Sequence, residues 1–314
     1  MLAFALRKFA FSLVTLFGVA VVLFVLVRVV PGDPADAILG QFPTESERQR
    51  IRELYRLDQP LPLQFTVWFT RAVQGDLGYS SYNHEPVTAS IADALPVTLQ
   101  LALMSLAFAV LVGIPLGIFA AIRQGRFLDY LCSSFGVLGV SIPNFWLGTM
   151  LILLFAFYLR IMPSAGVPQF SDDPLGNLHA MLMPTLALGT AVAAVIMRMT
   201  RSSLLEVLGQ DYVRTARAKG LAPRRVVTRH ALRNALIPIL TITGIQTGYL
   251  LGGSVVIEQV FGLQGVGSLV FNAATTRDYF LLQAVVLLIA ALFITINLAV
   301  DLLYGLVDPR MRKA

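Results

Sequence analysis

Few residues of this chain have the spacing that catalysis requires. The three histidines, His84, His179 and His230, lie far apart and outside the long apolar runs, whereas a metalloprotease or a Ser–His hydrolase acting inside a membrane needs a buried histidine. The single cysteine, Cys132, can form no intrachain disulfide, and its apolar stretch offers no basic partner that would activate the thiol. The sequence therefore predicts neither a catalytic set nor a metal site.

A phosphate-binding loop is also missing from the sequence. The chain has no G-x-x-x-x-G-K-[ST] motif, and the glycines at 262, 265 and 267 are not followed by the lysine that such a loop requires. We therefore expect that this chain does not hydrolyse ATP, is not an enzyme and carries no cofactor of its own.

The composition is that of a membrane protein. Only 13% of the residues are charged, against roughly 25% in a soluble domain. A helix needs about 20 apolar residues to cross a bilayer, and six uncharged runs come close to or exceed that length: 9–27, 94–122, 130–159, 180–197, 234–257 and 279–300. Four prolines within or at the ends of these runs predict kinks: Pro115, Pro143, Pro184 and Pro238. The predicted fold class is an all-α polytopic membrane protein with six transmembrane helices.

Ionisable residues are almost absent from the interior of these runs. Arg28, Glu258 and Asp301 lie at their ends, whereas a proton- or ion-coupled carrier is expected to hold such groups near the middle of the membrane. Placement at the membrane interface is the simpler interpretation of all three. A gate or a substrate contact is the alternative, and Glu258 is its best candidate because a glycine-rich stretch surrounds it.

The distribution of charge predicts the orientation of the chain. Segment 198–233 carries nine Lys and Arg residues against Glu206 and Asp211, and 123–129 is also basic, whereas 31–93 carries nine acids against five bases. Because positive charge favours the cytoplasmic side, both termini and the two basic loops are predicted to be cytoplasmic. The net charge of +6 is thus explained by topology and by contact with membrane lipid, and we expect no binding to nucleic acid.

Three regions follow from these runs. Residues 1–30 hold the first transmembrane helix, which we expect to remain uncleaved. Residues 31–93 form an external, periplasmic segment with two helix-like stretches, Thr44–Leu57, in which Glu47 follows the capping Thr44, and Leu63–Val73. Residues 94–314 form a core with five transmembrane helices and a cytoplasmic loop at about 198–235.

The basic stretch 211–240 has the pattern of two short helices joined by a turn. Asp211 is predicted to cap a helix over Tyr212–Lys219, and Gly220 suits the left-handed position that ends it. Pro223 fits the first turn of a second helix, which is predicted to run to about Ala235. On the first helix Tyr212, Ala216 and Lys219 fall on one side and Val213, Arg217 and Gly220 on another. Small residues among the bases would let a partner surface approach closely.

Three interpretations of this stretch remain open on physical grounds. It could be a solvated basic face that only retains the loop in the cytoplasm, a basic helix that binds lipid headgroups, or a helix that docks in a groove of a cytosolic partner. The break at Gly220 and the restart at Pro223 favour docking, because retention requires charge alone.

The same stretch resembles the cytoplasmic loop of permease subunits of bacterial ABC importers, whose signature is E-A-A, three residues, G, nine residues and I-x-L-P. Aligned on Gly220, the chain agrees at Ala216 and Leu232, and Arg214 stands where the family has its glutamate. The resemblance is closer to the B-type permease of dipeptide, oligopeptide and nickel importers. Further segments that resemble this branch begin at Arg28, Gly75, Pro86, Leu95, Ser141, Glu258, Arg277 and Asp301.

This resemblance implies the function and the partners. Members of the family pair with a second related permease and two cytosolic ATPases, which hold ATP and Mg²⁺, and they receive substrate from a periplasmic or lipid-anchored binding protein at the bacterial inner membrane. A short coupling helix docks on the ATPase. Mapped onto this chain, that helix comprises Tyr212, Val213, Arg214, Thr215, Ala216, Arg217, Ala218, Lys219, Gly220 and Leu221. Glu258, Asn144 and Gln246 are the candidates for a periplasmic gate or substrate path.

Two other classes of protein remain as alternatives. A self-sufficient secondary carrier or channel would transport solute without other subunits or ATP, and an intramembrane hydrolase would turn over substrate alone. The substrate of an importer is left open by the sequence: peptides, nickel chelates, sugars and other small solutes all fit spans rich in small residues.

Overall fold

The structure is a computed structural model that describes residues 2–29, 39, 44–82 and 84–307. Within these residues the regular elements are helices, together with one isolated bridge between Tyr79 and Pro86. In chain order the helices are α1 (Leu2–Val29), α2 (Glu45–Tyr55), α3 (Leu61–Val73), α4 (Val87–Ile122), α5 (Phe127–Ser141), α6 (Asn144–Leu151), α7 (Pro174–Leu208), α8 (Asp211–Ala218), α9 (Pro223–Arg225), α10 (Leu232–Val260), α11 (Val266–Thr276) and α12 (Tyr279–Val307). Two π-helical segments, Ile152–Tyr158 and Val226–Ala231, continue α6 and join α9 to α10.

The all-α polytopic class predicted from the sequence is confirmed. Five helical stretches in the described residues are long and apolar enough to cross a membrane: Ala5–Val29, Val87–Ile122, Pro174–Leu208, Pro223–Val260 and Tyr279–Leu302. A sixth span is obtained if α5 and the helix that follows it, which are bent by 101° at a short break, are counted together.

That break corrects the expectation of one kinked helix over 130–159. Ile142 has an extended backbone with ψ of 122°, and Pro143 has ψ of 135°, so α5 ends before the proline and α6 starts after it. The ring of a proline disfavours a helical conformation in the residue before it. Pro184 and Pro238, in contrast, lie inside continuous helices.

The described residues fold into two compact units, one formed by those within 100–263 and 299–307 and the other by those within 2–99 and 264–298. In the first unit α7 is the central helix, with buried residues on most of its circumference. Glycines of α4 allow close approach to it: a Cβ added at Gly113 would lie 2.6 Å from the carbonyl oxygen of Ala193, and one at Gly117 would lie 2.5 Å from Cβ of Thr200. Small residues at helix contacts are the usual means of packing helices in lipid.

The second unit has a core formed by α4, α11 and α12. Buried contributors include Val87 and Ile91 of α4, Val266 of α11 and Val285 of α12. An aromatic cluster lies between α1 and α3, where Phe24 and Trp68 have ring centroids 5.8 Å apart.

Two buried hydrogen bonds bring together segments that are far apart in the sequence of this unit. The hydroxyl of Ser80 donates to the Asp278 carboxylate at 2.5 Å, and the Val266 N–H donates to the hydroxyl oxygen of Thr98 at 2.7 Å. Asp278 also accepts from the Leu281 N–H and so caps the start of α12. The four residues lie within the segments beginning at Gly75, Leu95, Glu258 and Arg277 that were noted in the sequence.

Helices α2 and α3 confirm the two helix-like stretches expected within 31–93, with small shifts in their ends. Thr44 and Glu47 form the expected capping box, in which the Thr44 N–H donates to the Glu47 carboxylate at 2.8 Å. Hydrogen bonds from the Thr44 hydroxyl and N–H hold the pKa of Glu47 below its usual value. Helix α2 ends at Tyr55, because Arg56 has a left-handed backbone, and α3 begins at Leu61 rather than Leu63.

Candidate functional site

The candidate site is the basic loop that contains α8. The helix covers Asp211–Ala218, one residue earlier than the predicted range Tyr212–Lys219. The prediction that Asp211 caps it is wrong: Gln210 is the N-cap, without a side-chain hydrogen bond, and Asp211 lies in the first turn. A carboxylate in that turn still stabilises the helix, because it interacts favourably with the positive end of the helix dipole.

The end of α8 agrees with the prediction based on glycine. Gly220 has φ of +76°, and its N–H donates to the Arg217 carbonyl at 2.9 Å, while the Leu221 N–H donates to the Ala216 carbonyl at 3.4 Å. The left-handed backbone thus reverses the chain and satisfies two terminal carbonyls. A Cβ added at Gly220 would meet no atom within 4 Å, so the requirement for glycine comes from the backbone conformation and not from crowding.

The restart after this turn also follows the sequence, but the second helix does not end near Ala235. Pro223 is the first residue of α9. The chain then continues through the π-helical segment into α10, as one helical stretch from Pro223 to Val260. The short second helix of the loop is therefore the N-terminal extension of a helix long and apolar enough to span a membrane.

One face of α8 packs against its own chain. Val213 is fully buried and Ala216 is 7% exposed, and both belong to one buried cluster with Val226 at the start of the π-helical segment. Val207 and Leu208 at the end of α7 pack against the same cluster. Of the small residues expected to let a partner approach, Ala216 therefore lies on the inner face, because the i, i+3 spacing places it beside Val213.

The remaining residues of the predicted coupling helix lie on the outer face or at the turn. Seven of them are exposed, namely Tyr212, Arg214, Thr215, Arg217, Ala218, Lys219 and Gly220, and Leu221 is half-buried. Arg214 forms an ion pair with Asp211 at 3.4 Å, but both side chains are largely exposed, and such pairs contribute little. The outer face therefore presents three bases against one acid.

Two buried clusters connect α8 to the membrane-spanning helices. Val226 belongs to the cluster that holds α8, and its neighbour Val227 belongs to a second cluster. That second cluster contains residues from three long helices: Ala121 of α4, Leu204 of α7, and Ala235 and Ile239 of α10. The Val226–Val227 pair therefore joins the cluster that holds α8 to the ends of these three helices. The sequence did not reveal the π-helical segment, which has no distinctive residue pattern.

Two further polar contacts of this region were not foreseen. Asn234, in the first turn of α10, donates to the hydroxyl oxygen of Tyr212 at 2.7 Å. The carboxylate of Asp129 in α5 accepts two hydrogen bonds from Arg201 of α7. The only sequence signal for the second contact is that Asp129 precedes the apolar run 130–159 and Arg201 follows the run 180–197.

Two of the three residues suggested for a gate or a substrate path, Glu258 and Gln246, are far apart along α10. Glu258 lies fully buried in the last turn of α10, and its carbonyl accepts from the Leu263 N–H at 2.8 Å. Gln246 is half-buried twelve residues earlier in the same helix, which corresponds to a rise of about 18 Å. Asn144 is the first residue of α6 and is half-buried. Glu258 offers no surface to an external protein in this conformation, and the roles of all three residues stay predictions.

The described residues offer no group of three or more His, Cys, Asp or Glu side chains placed to hold a metal ion. Whether the chain binds a cofactor stays a prediction. The exposed groups of this site are basic side chains, hydroxyls and the backbone of a turn. Such groups are suited to binding the surface of a partner.

Two family profiles cover most of the chain. Residues 113–313 match the family described as the inner membrane component of binding-protein-dependent transport systems, and residues 1–102 match the N-terminal part of membrane components of the same systems.

Individual relatives match over nearly the full length. The chain is 42% identical over 312 residues to the glutathione transport system permease protein GsiC of Escherichia coli O6:H1, covering 99% of each chain. It is 41% identical, with the same coverage, to a protein of Brucella abortus (strain 2308) that carries the name of a peptide transport system permease.

A solved structure shares the fold. The chain is similar to a chain of the inward-facing MetNI methionine ABC transporter, with a TM-score of 0.56 and 22% identity, over 69% of this chain and 96% of that one. At this identity the likeness concerns the fold alone. The profiles and the relatives together show that the chain belongs to the family of inner-membrane permease components of binding-protein-dependent ABC import systems.

Proposed function

We propose that this permease moves peptides or similar small solutes across the bacterial inner membrane, and that α8 is the coupling helix through which ATPase partners drive it. The observation that carries this proposal is the division of α8 into two faces. Val213 and Ala216 are buried against the end of α7 and the start of the π-helical segment, whereas Arg214, Arg217 and Lys219 are exposed. A retention signal requires only the charges, but a coupling element requires both faces.

The charge of the outer face defines the chemistry of the ATPase groove. The general E-A-A signature of the family has a glutamate where this chain has Arg214, so the complementary groove should offer carboxylates or backbone carbonyls. Electrostatic complementarity of this kind mainly determines the choice of partner and the association rate. The partner set in this proposal is a second related permease, two cytosolic ATPases that bind ATP and Mg²⁺, and a periplasmic or lipid-anchored binding protein.

The mechanism follows from the packing behind α8. When the ATPases close, they move α8, and the movement passes through Val226 and Val227 to the ends of α4, α7 and α10. The spans then change between inward-open and outward-open arrangements. A ligand shifts such an equilibrium only by its difference in affinity for the two states, so the external binding protein must prefer the outward-open state.

The substrate class rests on the named relatives. Proteins named for peptide and for glutathione transport are 41% and 42% identical to this chain over its full length, which supports peptides or similar small solutes. Glu258, Asn144 and Gln246 remain the proposed residues of the periplasmic gate or substrate path. The predicted topology, with both termini in the cytoplasm, places α8 on the ATPase side.

The test compares two substitutions at Gly220. Both Gly220→Ala and Gly220→Arg impose a left-handed backbone on a residue with a Cβ, at a cost of about 1 kcal/mol, but only arginine adds bulk and charge. We expect Gly220→Arg to abolish copurification of the ATPases and ATP-driven uptake, while Gly220→Ala retains most of both. Wild-type assembly and uptake in Gly220→Arg would refute the docking role. Uptake by the isolated chain in vesicles without ATP would instead indicate a carrier or channel.

A further inference from the structure

A cleft between α1 and α3 contains a single arginine and is otherwise almost entirely apolar. Its volume is about 260 Å³, and it is lined by Phe24, Val25, Arg28, Val29, Leu61 and Gln64. The transport mechanism described above makes no use of this cleft, which belongs wholly to the second compact unit.

The side chain of Arg28 is held in place on two sides. Its Nε donates to the Gln64 Oε1 at 3.3 Å, and its guanidinium carbon lies 3.9 Å from the centre of the Phe24 ring. Gln64 is buried, and its Nε2 donates to the carbonyls of Leu57 and Gln59, at 2.8 and 2.9 Å, so its amide is fully engaged. Within the described residues the two terminal nitrogens of Arg28 have no hydrogen-bond partner. They can therefore donate to an acceptor on a bound molecule.

The position of Arg28 along α1 corresponds to the headgroup region of a bilayer. The uncharged run 9–27 contains nineteen residues, which as a helix measure about 28 Å and match the hydrocarbon thickness of roughly 30 Å. Arg28 is the first residue beyond this run. Arginine at this depth meets lipid phosphates, and the apolar remainder of the cleft suits the glycerol and acyl parts of a lipid.

We propose that the α1–α3 cleft binds the phosphate of an anionic phospholipid through the guanidinium of Arg28. A guanidinium held by Gln64 and Phe24 presents its two terminal nitrogens as a fork that matches two phosphate oxygens. The described residues that line the cleft include no carboxylate to attract the cationic group of a zwitterionic lipid. An anionic headgroup is therefore preferred over phosphatidylcholine.

The test uses the fluorescence of Trp68, whose ring centroid lies 5.8 Å from that of Phe24. The chain has two tryptophans, so Trp146→Phe leaves Trp68 as the only reporter. The full-length chain is reconstituted in phosphatidylcholine vesicles with increasing fractions of phosphatidylglycerol brominated on its acyl chains, which quenches nearby tryptophan. We expect saturable quenching, and we expect Arg28→Gln to raise the half-saturating lipid fraction about tenfold, the loss expected for one charge-assisted interaction.

Matched variants separate the site from general effects of charge and folding. Arg7→Gln removes an equal charge at the other end of α1 and should leave the quenching curve unchanged. Leu61→Phe narrows the cleft without altering its charge and should weaken quenching as Arg28→Gln does. Equal quenching by brominated phosphatidylcholine, or curves for Arg28→Gln that match those of the parent, would overturn the proposal. Loss of the saturable component on addition of inorganic phosphate would also overturn it, because the site would then be one for free phosphate.

Discussion

Asp129, in the first turn of α5, accepts two hydrogen bonds from the guanidinium of Arg201 in α7, at 2.6 and 2.9 Å. The same carboxylate accepts from the Gly125 N–H at 2.9 Å, so it also holds the loop that joins α4 to α5. Arg201 lies seven residues before the end of the helix that supports α8. The pair therefore fixes the start of α5 to α7, about two turns before the end of α7 that packs against α8.

This arrangement predicts that Asp129→Asn loosens α5 and weakens coupling. Because the Asp129 carboxylate is 5% exposed and Arg201 is 30% exposed, we expect a loss of about 2 kcal/mol in the free energy of unfolding, below the 3–5 kcal/mol typical of fully buried pairs. The measurement is thermal unfolding of the purified complex, together with solute imported per ATP hydrolysed. Arg123→Gln, in the exposed loop, is the control. If Asp129→Asn and the control behave alike, the pair has no role in stability.

The hydrogen bond from Asn234 to Tyr212 leads to a second prediction. Tyr212→Phe removes this bond and retains the ring, and Asn234→Leu removes it from the other side. If the bond acts by fixing α8 to α10, each variant should lower solute imported per ATP by a similar amount, and the double variant should lower it no further. The bond itself is expected to contribute about 1 kcal/mol. A much larger effect of Tyr212→Phe would show that its hydroxyl contacts the ATPase instead.

The two faces of α8 predict two different defects. Val213→Ala removes two methyl groups from a fully buried site and is expected to lower stability by about 1–2 kcal/mol. The ATPases should still bind, because the outer face is intact, but the transmission of their movement to Val226 should weaken. ATP hydrolysis would then continue with reduced uptake.

Arg217→Glu is the matched change on the outer face. Arg217 is exposed, so stability should stay within about 0.5 kcal/mol of the parent, whereas copurification of the ATPases should fall because the charge is reversed. These measurements distinguish the two faces by the ratio of uptake to hydrolysis and by the yield of the complex. The division of α8 is refuted if Val213→Ala loses the ATPases and Arg217→Glu retains them.

The sequence predicted those parts of the fold that depend on local chemistry. The capping box at Thr44, the left-handed Gly220 and the restart at Pro223 each need only a few neighbouring residues, and all three are present. The apolar runs likewise located the long helices, because length and hydropathy are sufficient for that purpose.

Features that depend on packing could not be read from the sequence. Val213 and Ala216 face inward because they meet Val226, and no local pattern shows which side of a short basic helix meets its own chain. The helix breaks at Pro143 and continues through Pro238. The sequence does not distinguish these two prolines, because the outcome depends on the surrounding helices. For the same reason, Asp129 and Arg201, 72 residues apart, could not be paired in advance.

The buried contact between Ser80 and Asp278 gives the last prediction. Asp278 is fully buried, caps α12 and accepts from the Ser80 hydroxyl, so the loop before α4 is fixed to the start of α12. Ser80→Ala leaves one carboxylate oxygen without its protein partner, and we expect it to lower stability by about 1–3 kcal/mol. In Asp278→Asn the side-chain oxygen can still accept the Leu281 N–H, but the uncharged amide binds the Ser80 hydroxyl less strongly. We therefore expect this variant to weaken the contact with Ser80 more than the cap of α12. Proteolysis of the loop around Ser80 is the measurement, with Ser81→Ala as the control. A loop that is cleaved no faster in Ser80→Ala than in the control would show that Asp278 serves α12 alone.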